Sequence, residues 1–375
     1  MSQAYLQSPQ IVVDPGLEYA DPIRRFQGIP GLERSSSGRL WATWYGGTGT
    51  TEDHLNYVLL ATSADDGSSW SAPCLIVDPD GEGPTRAYDP VLWHDPSGRL
   101  WLFWAQGYAK HTDDTAGVWA ITTQDSGAPS PVWSAPRRLC DGIMMNKPIV
   151  TSSGQWLIPA ARWRAETSCV VFASTDQGDS WNRLGGACVP EPERSCDEHM
   201  LVQRHNDSLW MLVRTKYGIG ASQSTDGGVN WSEVAPTALA HPETRFFIRR
   251  LDSGRLLLVK HGPLTERTKR SHLTAYLSEN DGATWDGGLL LDEREGVSYP
   301  DGAQAQDGMI YLCYDYDRRG EKLILLAKFT ESDVLAGRAA SAGSALRLVI
   351  NQATGGVARV IAQGVTAGGC GTALH

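Results

Sequence analysis

Ionisable residues recur at one fixed place in this chain, nine residues before a turn that leads into an apolar strand. Asp89, Glu198, Arg245 and Tyr299 occupy this place, and Lys147 occupies the equivalent place in a shorter unit. A single residue of this kind is often a cap or a surface ion pair. Five at equivalent positions predict that they share a functional site. In the first unit, the same place follows Gln27 and Gly28.

A second group of polar residues lies in loops that follow the second strand of each unit. The first of these loops is rich in glycine. Carboxylate, imidazole and guanidinium groups on such loops are typical of the rim of an active site, although each alone is also compatible with ordinary loop polarity. The residues that carry these groups are Glu52, Asp53, His54, His111, Arg214 and Arg270.

A repeated β-structure must position these residues. Copies of Ser-x-Asp/Asn-x-Gly-x-x-Trp begin at residues 63, 174, 224 and 278, and a degenerate copy begins at 123. Repeats about 50 to 60 residues apart are typical of solenoids and propellers. In each copy the Asp or Asn can bond nearby backbone N–H groups, and the Gly supplies a left-handed position. The motif therefore predicts a hairpin turn with a structural role.

Six strand–turn–strand units accompany these boxes. They predict an all-β fold, a six-bladed β-propeller with four-stranded antiparallel blades, over residues 1–330. The run at residues 10–13 is predicted to close the sixth blade. Residues 331–375 are predicted to form a C-terminal extension with a short helix, a strand candidate at 346–350 and a Gly- and Ala-rich end. In a propeller the two sets of polar residues described above converge on one face, and the box motifs lie on the opposite face.

Composition limits the classes of partner. The chain has 375 residues and a net charge of −10, which argues against a nucleic-acid partner. It has no apolar stretch near the roughly 20 residues of a membrane span and no secretory pattern at its start. Seven cysteines without a Cys-x-x-Cys pair indicate reduced thiols and a cytoplasmic location. We predict a monomer or homodimer without a cofactor, and without a metal site because no His/Asp cluster has ligand spacing.

In these features the chain resembles the sialidase (neuraminidase) superfamily of six-bladed propellers with Asp-box repeats, over about residues 20–330. Glu198, sixteen residues before Arg214, is similar to the glutamate of that family followed by one arginine of its triad. Arg270, eight residues before the next box, resembles a second triad arginine. Tyr299 resembles the tyrosine nucleophile.

The chain departs from this family at the start of the first inner strand. The family has Tyr/Phe-Arg-Ile-Pro there, and its arginine binds the substrate carboxylate. This chain has Phe-Gln-Gly-Ile-Pro, with Gly28 at the arginine position and Arg24 and Arg25 out of register. Lys147 and Arg245 add positive charge. The substrate is therefore open between sialic acid and an altered anionic or neutral sugar.

The resemblance implies a retaining exo-glycosidase. Tyr299 would be the nucleophile and Glu198 its base, and Asp53 or Glu52 would be the acid/base. Carbohydrate would be the substrate, held by paired charge-assisted bonds from two of the arginines. The predicted substrate-binding residues are Arg214, Arg270, Arg245, Lys147, Asp89, Gln27, His54 and His111.

Other interpretations remain open. The same scaffold could carry a lyase that acts on a uronic acid, with His54, His111 or Tyr299 moving the proton. It could also be a carbohydrate-binding propeller without turnover. Structural alternatives stand beside the catalytic roles, since Glu198 could simply pair with Arg214 and Asp53 could cap its own loop.

Overall fold

The computed structural model describes residues 3–108, 115–163 and 167–352. Within them the chain forms six antiparallel sheets, one for each predicted blade. The strands, in chain order, are β1 Gln10–Val13; β2 Phe26–Arg34, β3 Leu40–Gly47, β4 Asn56–Ser63 and β5 Leu75–Asp78 in blade one; β6 Thr85–His94, β7 Leu100–Tyr108, β8 Gly117–Thr123 and β9 Arg137–Asp141 in blade two; β10 Ile149–Val150, β11 Trp156–Ala161, β12 Cys169–Ser174 and β13 Asn182–Ala187 in blade three; β14 His199–Gln203, β15 Leu209–Thr215, β16 Gly218–Ser224 and β17 Ala235–Pro236 in blade four; β18 Phe247–Arg250, β19 Leu256–His261, β20 Leu273–Ser278 and β21 Asp286–Asp292 in blade five; and β22 Val297–Gln304, β23 Ile310–Tyr316, β24 Leu323–Phe329 and β25 Ala345–Val349 in blade six.

Helical segments are short. The α-helix α1 spans Glu331–Ala336, and 3₁₀ turns span Ala4–Leu6, Leu17–Tyr19, Asp21–Ile23 and Glu191–Glu193. None of the helices in the described ranges is long and apolar enough to cross a membrane. The six sheets confirm the six-bladed propeller that the repeats predict.

Residues buried on both faces of the middle strands explain why the blades stack. Every residue of β3 and of β4 is buried, and Trp41, Trp44, Trp101 and Trp104 are fully buried. A strand that is buried on both faces must lie between two neighbouring layers, which in a ring are the adjacent blades. Burial of such large side chains stabilises the ring.

The box motifs form hairpin turns, as predicted. In the first box the Ser63 hydroxyl donates to Asp65 Oδ1 at 2.8 Å and accepts from the Gly67 N–H at 3.0 Å. Asp65 Oδ1 also accepts from the Ser69 N–H at 2.9 Å. The turn follows the end of β4 that pairs with Leu40, next to the end of the inner strand β2. The boxes therefore lie on the face opposite the point where β2 begins.

Closure of the ring differs from the prediction. The run Gln10–Val13 pairs with β5, with Gln10 opposite Asp78, and so adds a fifth strand to blade one rather than closing blade six. The prediction was wrong because an apolar run identifies a strand but not the sheet edge that accepts it. The fourth strand of blade six is β25, which pairs with β24.

The segment after residue 330 therefore contributes to the propeller. Helix α1 begins with a capping box, in which the Thr330 hydroxyl accepts from the Asp333 N–H and the Asp333 carboxylate accepts from the Thr330 N–H. The chain then returns through β25 to complete blade six. A backbone-to-side-chain hydrogen bond joins blades six and one, since Asp301 Oδ2 accepts from the Leu32 N–H at 2.8 Å.

Candidate active site

The inner strands of blades one, two and six share an irregularity. Ile29, Asp89 and Tyr299 each precede a proline, and each has a left-handed φ, of 57°, 50° and 54°. The pairing with the second strand shifts register at each of these positions. A left-handed φ at a residue other than glycine is unfavourable and persists only where its surroundings hold it. The bulge therefore fixes the direction of the Tyr299 side chain.

Tyr299, Glu198 and Arg214 form a hydrogen-bonded triangle between blades six and four. The Tyr299 hydroxyl donates to Glu198 Oε1 at 2.9 Å. Arg214 Nη1 donates to the same Oε1 at 2.7 Å and to the Tyr299 hydroxyl oxygen at 2.9 Å. Glu198 Oε2 is buried and has no hydrogen-bond partner among the described residues.

The sixteen-residue spacing of Glu198 and Arg214 follows from a hairpin. Glu198 directly precedes β14, and Arg214 lies in β15, which pairs with β14. The Arg214 N–H donates to the Glu198 carbonyl at 2.8 Å. The two side chains are therefore neighbours through strand register.

Electrostatics keeps the phenol neutral. Burial, together with the Glu198 carboxylate, raises the pKa of Tyr299. Burial alone would lower the pKa of Arg214, but the Glu198 carboxylate raises it well above its usual value. A neutral phenol bonded to a carboxylate can transfer its proton to that carboxylate at the moment when the phenol oxygen attacks an electrophile.

Arginines from two blades approach the Tyr299 ring. The guanidinium carbon lies 4.3 Å from the ring centroid for Arg318, 5.2 Å for Arg245 and 5.7 Å for Arg270. Arg245 is buried, and its guanidinium donates to the backbone carbonyls of Met145, Tyr299 and Pro300. These contacts connect the backbone at residue 145 with the backbone at residues 299 and 300, which is a structural role. Arg270 is half-buried.

Arg318 is the residue of this cluster that the sequence analysis missed. It lies between β23 and β24 of blade six, and its Nε donates to Asp315 Oδ2 at 2.9 Å. Its Nη2 donates to the Ser298 hydroxyl at 3.0 Å. The available signal was Gly28, because a glycine at an otherwise functional position leaves space that another side chain can fill.

Two carboxylates were candidates for the acid/base, and the structure places them differently. Glu52 Oε1 lies 3.5 Å from Arg318 Nη1, at the site. Asp53 Oδ1 instead accepts from the Leu55 N–H at 3.0 Å, and the Asp53 N–H donates to Asn56 Oδ1 at 2.8 Å. Asp53 thus caps its own loop, and Glu52 is the carboxylate that the structure brings to the arginines.

Asp89 is a buried carboxyl near this group. Burial raises the pKa of Asp89 to about 8, and the charges of Glu52 and Glu198 contribute to the rise. A carboxyl with this pKa is largely protonated at neutral pH. His54 is exposed on the loop beside Asp53. His111 lies outside the described residues.

Lys147 lies deep in the ring rather than at the rim. Its ammonium group donates to the carbonyls of Leu32 and Leu92 at 2.8 and 2.5 Å. It also lies 2.9 Å from Glu33 Oε1 and 3.1 Å from Asp301 Oδ2. These contacts join the inner strands of blades one, two and six, so the structure gives Lys147 a set of partners that holds the ring.

Gln27 is also engaged away from Tyr299. Its carbonyl oxygen accepts from Arg24 Nε at 2.9 Å and from Trp44 Nε1 at 3.1 Å. Its amide donates to the Lys322 carbonyl at 2.8 Å. Both ends of this buried side chain therefore contact neighbouring protein groups. The part of the chain that the structure describes contains no group of three or more His, Cys, Asp or Glu residues that could hold a metal ion.

Solved structures with a similar fold include sialidases. The Hadza microbial sialidase Hz136 aligns with a TM-score of 0.67 and 18% identity, over 84% of this chain and 67% of that chain. The leech intramolecular trans-sialidase, complexed with 2,7-anhydro-Neu5Ac, aligns with a TM-score of 0.67 and 16% identity, over 88% and 71%. The intramolecular trans-sialidase from Ruminococcus gnavus has a TM-score of 0.64 and 16% identity, over 87% and 98%. The fold is thus that of a sialidase-like propeller.

A comparison with protein families identifies the repeats themselves. Residues 38–312 match the BNR repeat-like domain, and the chain belongs to this family. A curated relative, the xyloglucanase Xgh74A of Acetivibrio thermocellus, is 25% identical in an alignment 177 residues long that covers 40% of this chain. The chain spans 20% of the length of that relative.

Proposed function

We propose that the protein is an exo-acting glycoside hydrolase that removes a terminal anionic sugar with retention of configuration. The observation that carries this proposal is the hydrogen bond of 2.9 Å from the Tyr299 hydroxyl to Glu198, on two separate blades. A neutral phenol with a carboxylate base suits attack on a sugar that carries its own negative charge at the anomeric carbon, because an anionic nucleophile would be repelled.

The first step forms a bond between the Tyr299 oxygen and the anomeric carbon. The phenol proton passes to Glu198, and the bond to the leaving oxygen breaks as Glu52 donates a proton to that oxygen. Arg214, 2.9 Å from the phenol oxygen, stabilises negative charge that develops there during attack and departure.

The second step returns the enzyme to its starting state. Glu52, now ionised, removes a proton from water, and the water oxygen attacks the anomeric carbon as the bond to Tyr299 breaks. Glu198 returns the proton to the phenol oxygen. Two displacements on opposite faces give net retention.

The experiment is turnover on a panel of aryl glycosides of sialic acids, other ulosonic acids, uronic acids and rhamnose. Tyr299→Phe is expected to lose at least about 1000-fold in kcat on the best substrate, because a phenyl ring cannot form the covalent intermediate. Tyr276→Phe is the matched control, since the Tyr276 hydroxyl donates to the Gly262 carbonyl in blade five. Full activity of Tyr299→Phe would refute the mechanism.

The same panel separates the alternatives. An unsaturated product that absorbs in the ultraviolet would identify the lyase, and sugar binding without turnover would identify the binding propeller. A cytoplasmic location and a monomeric or homodimeric state remain predictions from the sequence.

A further inference from the structure

We propose that Arg318 is an anion-binding residue of the site and that Gly28 provides the space through which it reaches Tyr299. This inference rests on the proposed function. It assigns to blade six a cation that the resemblance expects from blade one. It also predicts that the ligand carries a carboxylate directly on the anomeric carbon.

The space comes from the missing side chain of Gly28. A Cβ built on Gly28 would lie 2.7 Å from Arg318 Cγ, 2.8 Å from Cδ and 2.9 Å from Nε. Non-bonded contacts to a Cβ shorter than 3.0 Å are essentially never observed. Gly28 does not have a left-handed φ, so its backbone conformation does not require glycine. Close approach of Arg318 is the physical reason for glycine here.

Two neighbours fix the position of the Arg318 guanidinium. Asp315 Oδ2 accepts from Arg318 Nε at 2.9 Å and from the Ile29 N–H at 2.7 Å, which links blade six to blade one. The Ser298 hydroxyl accepts from Arg318 Nη2 at 3.0 Å and donates to Asp315 Oδ1 at 2.7 Å. Glu52 Oε1 lies 3.5 Å from the remaining Nη1. A guanidinium held along one edge is pre-organised, so an anion that binds beside Glu52 requires little further ordering of Arg318.

Three guanidinium groups lie close to the proposed nucleophile, Tyr299. Arg318 lies over the Tyr299 ring at 4.3 Å, Arg270 approaches it at 5.7 Å, and Arg214 contacts its hydroxyl oxygen at 2.9 Å. A carboxylate on the anomeric carbon would sit beside the Tyr299 oxygen during attack. These guanidinium groups come from blades four, five and six, so together they can bind such a carboxylate from several directions.

Binding of free sugars tests this inference independently of turnover. The probes are N-acetylneuraminic acid and its carboxyl methyl ester, measured by calorimetry on the full chain. The unaltered protein is expected to prefer the acid, and Arg318→Ala is expected to weaken acid binding about 10- to 100-fold while leaving ester binding within about 3-fold. Arg319→Ala is the matched control, because Arg319 donates to Thr51 Oγ1 on an exposed contact and should leave both affinities unchanged.

Substitution of Gly28 provides a more specific test. Gly28→Ala should displace Arg318 and weaken acid binding in the same way as Arg318→Ala, and the double variant should be no weaker than Arg318→Ala alone. Arg318→Lys, which keeps the charge but not the planar fork, covers the case in which Arg318→Ala does not fold, and it should also lose preference for the acid. Additive losses, an unaffected Gly28→Ala, or equal loss of acid and ester binding would overturn the proposal.

Outcomes for the two proposals are distinguishable. Acid binding that depends on Arg318, without hydrolysis of any glycoside in the panel, would contradict the proposed function and support the anion site. Hydrolysis that depends on Tyr299 but is insensitive to Arg318→Ala and Gly28→Ala would support the function and refute the anion site. Failure of the unaltered protein to bind the acid in preference to the ester would refute the anion site directly.

Discussion

Replacement of Glu198 by glutamine isolates the proposed base. The amide oxygen occupies the place of Oε1, so it can still accept from the Tyr299 hydroxyl and from Arg214, which lie 2.9 and 2.7 Å away. The amide cannot take a proton from the phenol. Removal of a positioned base lowers a rate by about 10²- to 10⁴-fold, which corresponds to about 3–5 kcal/mol in the activation free energy.

The effect on folding should be smaller. Both hydrogen bonds to Oε1 survive but lose the charge of the acceptor. The Tyr299 bond becomes neutral, and neutral bonds are about half as strong as charge-assisted ones, whereas the Arg214 bond keeps its charged donor. We therefore expect Glu198→Gln to lower the free energy of unfolding by about 1–3 kcal/mol, since the buried Arg214 loses its counter-ion. Complete truncation to alanine would cost about 3–5 kcal/mol.

The assay compares kcat for aryl glycosides whose leaving phenols differ in pKa. Glu198→Gln should lower kcat for every leaving group, because the base acts on the nucleophile. Glu52→Gln should instead be worst with poor leaving groups, because it removes the proton donor. Glu243→Gln is the control, since Glu243 lies 3.8 Å from Arg214 Nη2 and its side chain is 44% exposed. A Glu198→Gln variant with kcat within about 3-fold of the parent would refute the assignment.

Further predictions concern the buried charges and the boxes. In the folded protein Asp89 has a pKa of about 8, so it keeps a proton that the unfolded chain releases above about pH 4. The free energy of unfolding therefore falls as pH rises from about 4 to 8. Asp89→Asn should remove this dependence and raise the free energy of unfolding by about 4 kcal/mol at pH 7. Urea unfolding at pH 5 and pH 8 measures the effect, and an equal gain in stability at both pH values would contradict it. Lys147→Met should lower the free energy of unfolding by about 3–5 kcal/mol, because Glu33 and Asp301 lose their buried cation, whereas KM should be unchanged; a rise in KM without loss of stability would instead indicate substrate binding. Asp176→Ala should lower the melting temperature without changing kcat, because its carboxylate accepts from its own box turn; a loss of kcat in the folded variant would refute the structural role.

The parts of the site that the sequence predicted depend on local register. The box period defines the blades, and hairpin pairing places Arg214 beside Glu198, so their spacing carries the information. Tyr299 could be found because it lies nine residues before its turn, as Asp89 does. The structure then shows the same left-handed φ at both residues and at Ile29. Repetition makes positions of this kind comparable from one blade to the next.

Other features depend on contacts that spacing does not encode. Arg318 meets Gly28 only because blade six closes against blade one, and these residues are far apart in the sequence. The choice of β25 over β1 for the sixth blade depends on which sheet edge is open. The position of Lys147 just before an inner strand also did not reveal that its ammonium group reaches backbone carbonyls inside the ring.

In the proposed mechanism Tyr299 becomes covalently bonded to the sugar, and trapping of that intermediate tests the mechanism most directly. A glycosyl fluoride of the best substrate with a second fluorine beside the anomeric carbon should form the intermediate faster than it is hydrolysed, because the fluorine slows both steps and the fluoride leaving group accelerates the first. Mass spectrometry of the digested protein should find the sugar on the peptide that contains Tyr299, and Tyr299→Phe should remain unlabelled. A label on Glu52 or Glu198, or inversion at the anomeric carbon in the first-formed product, would contradict the account.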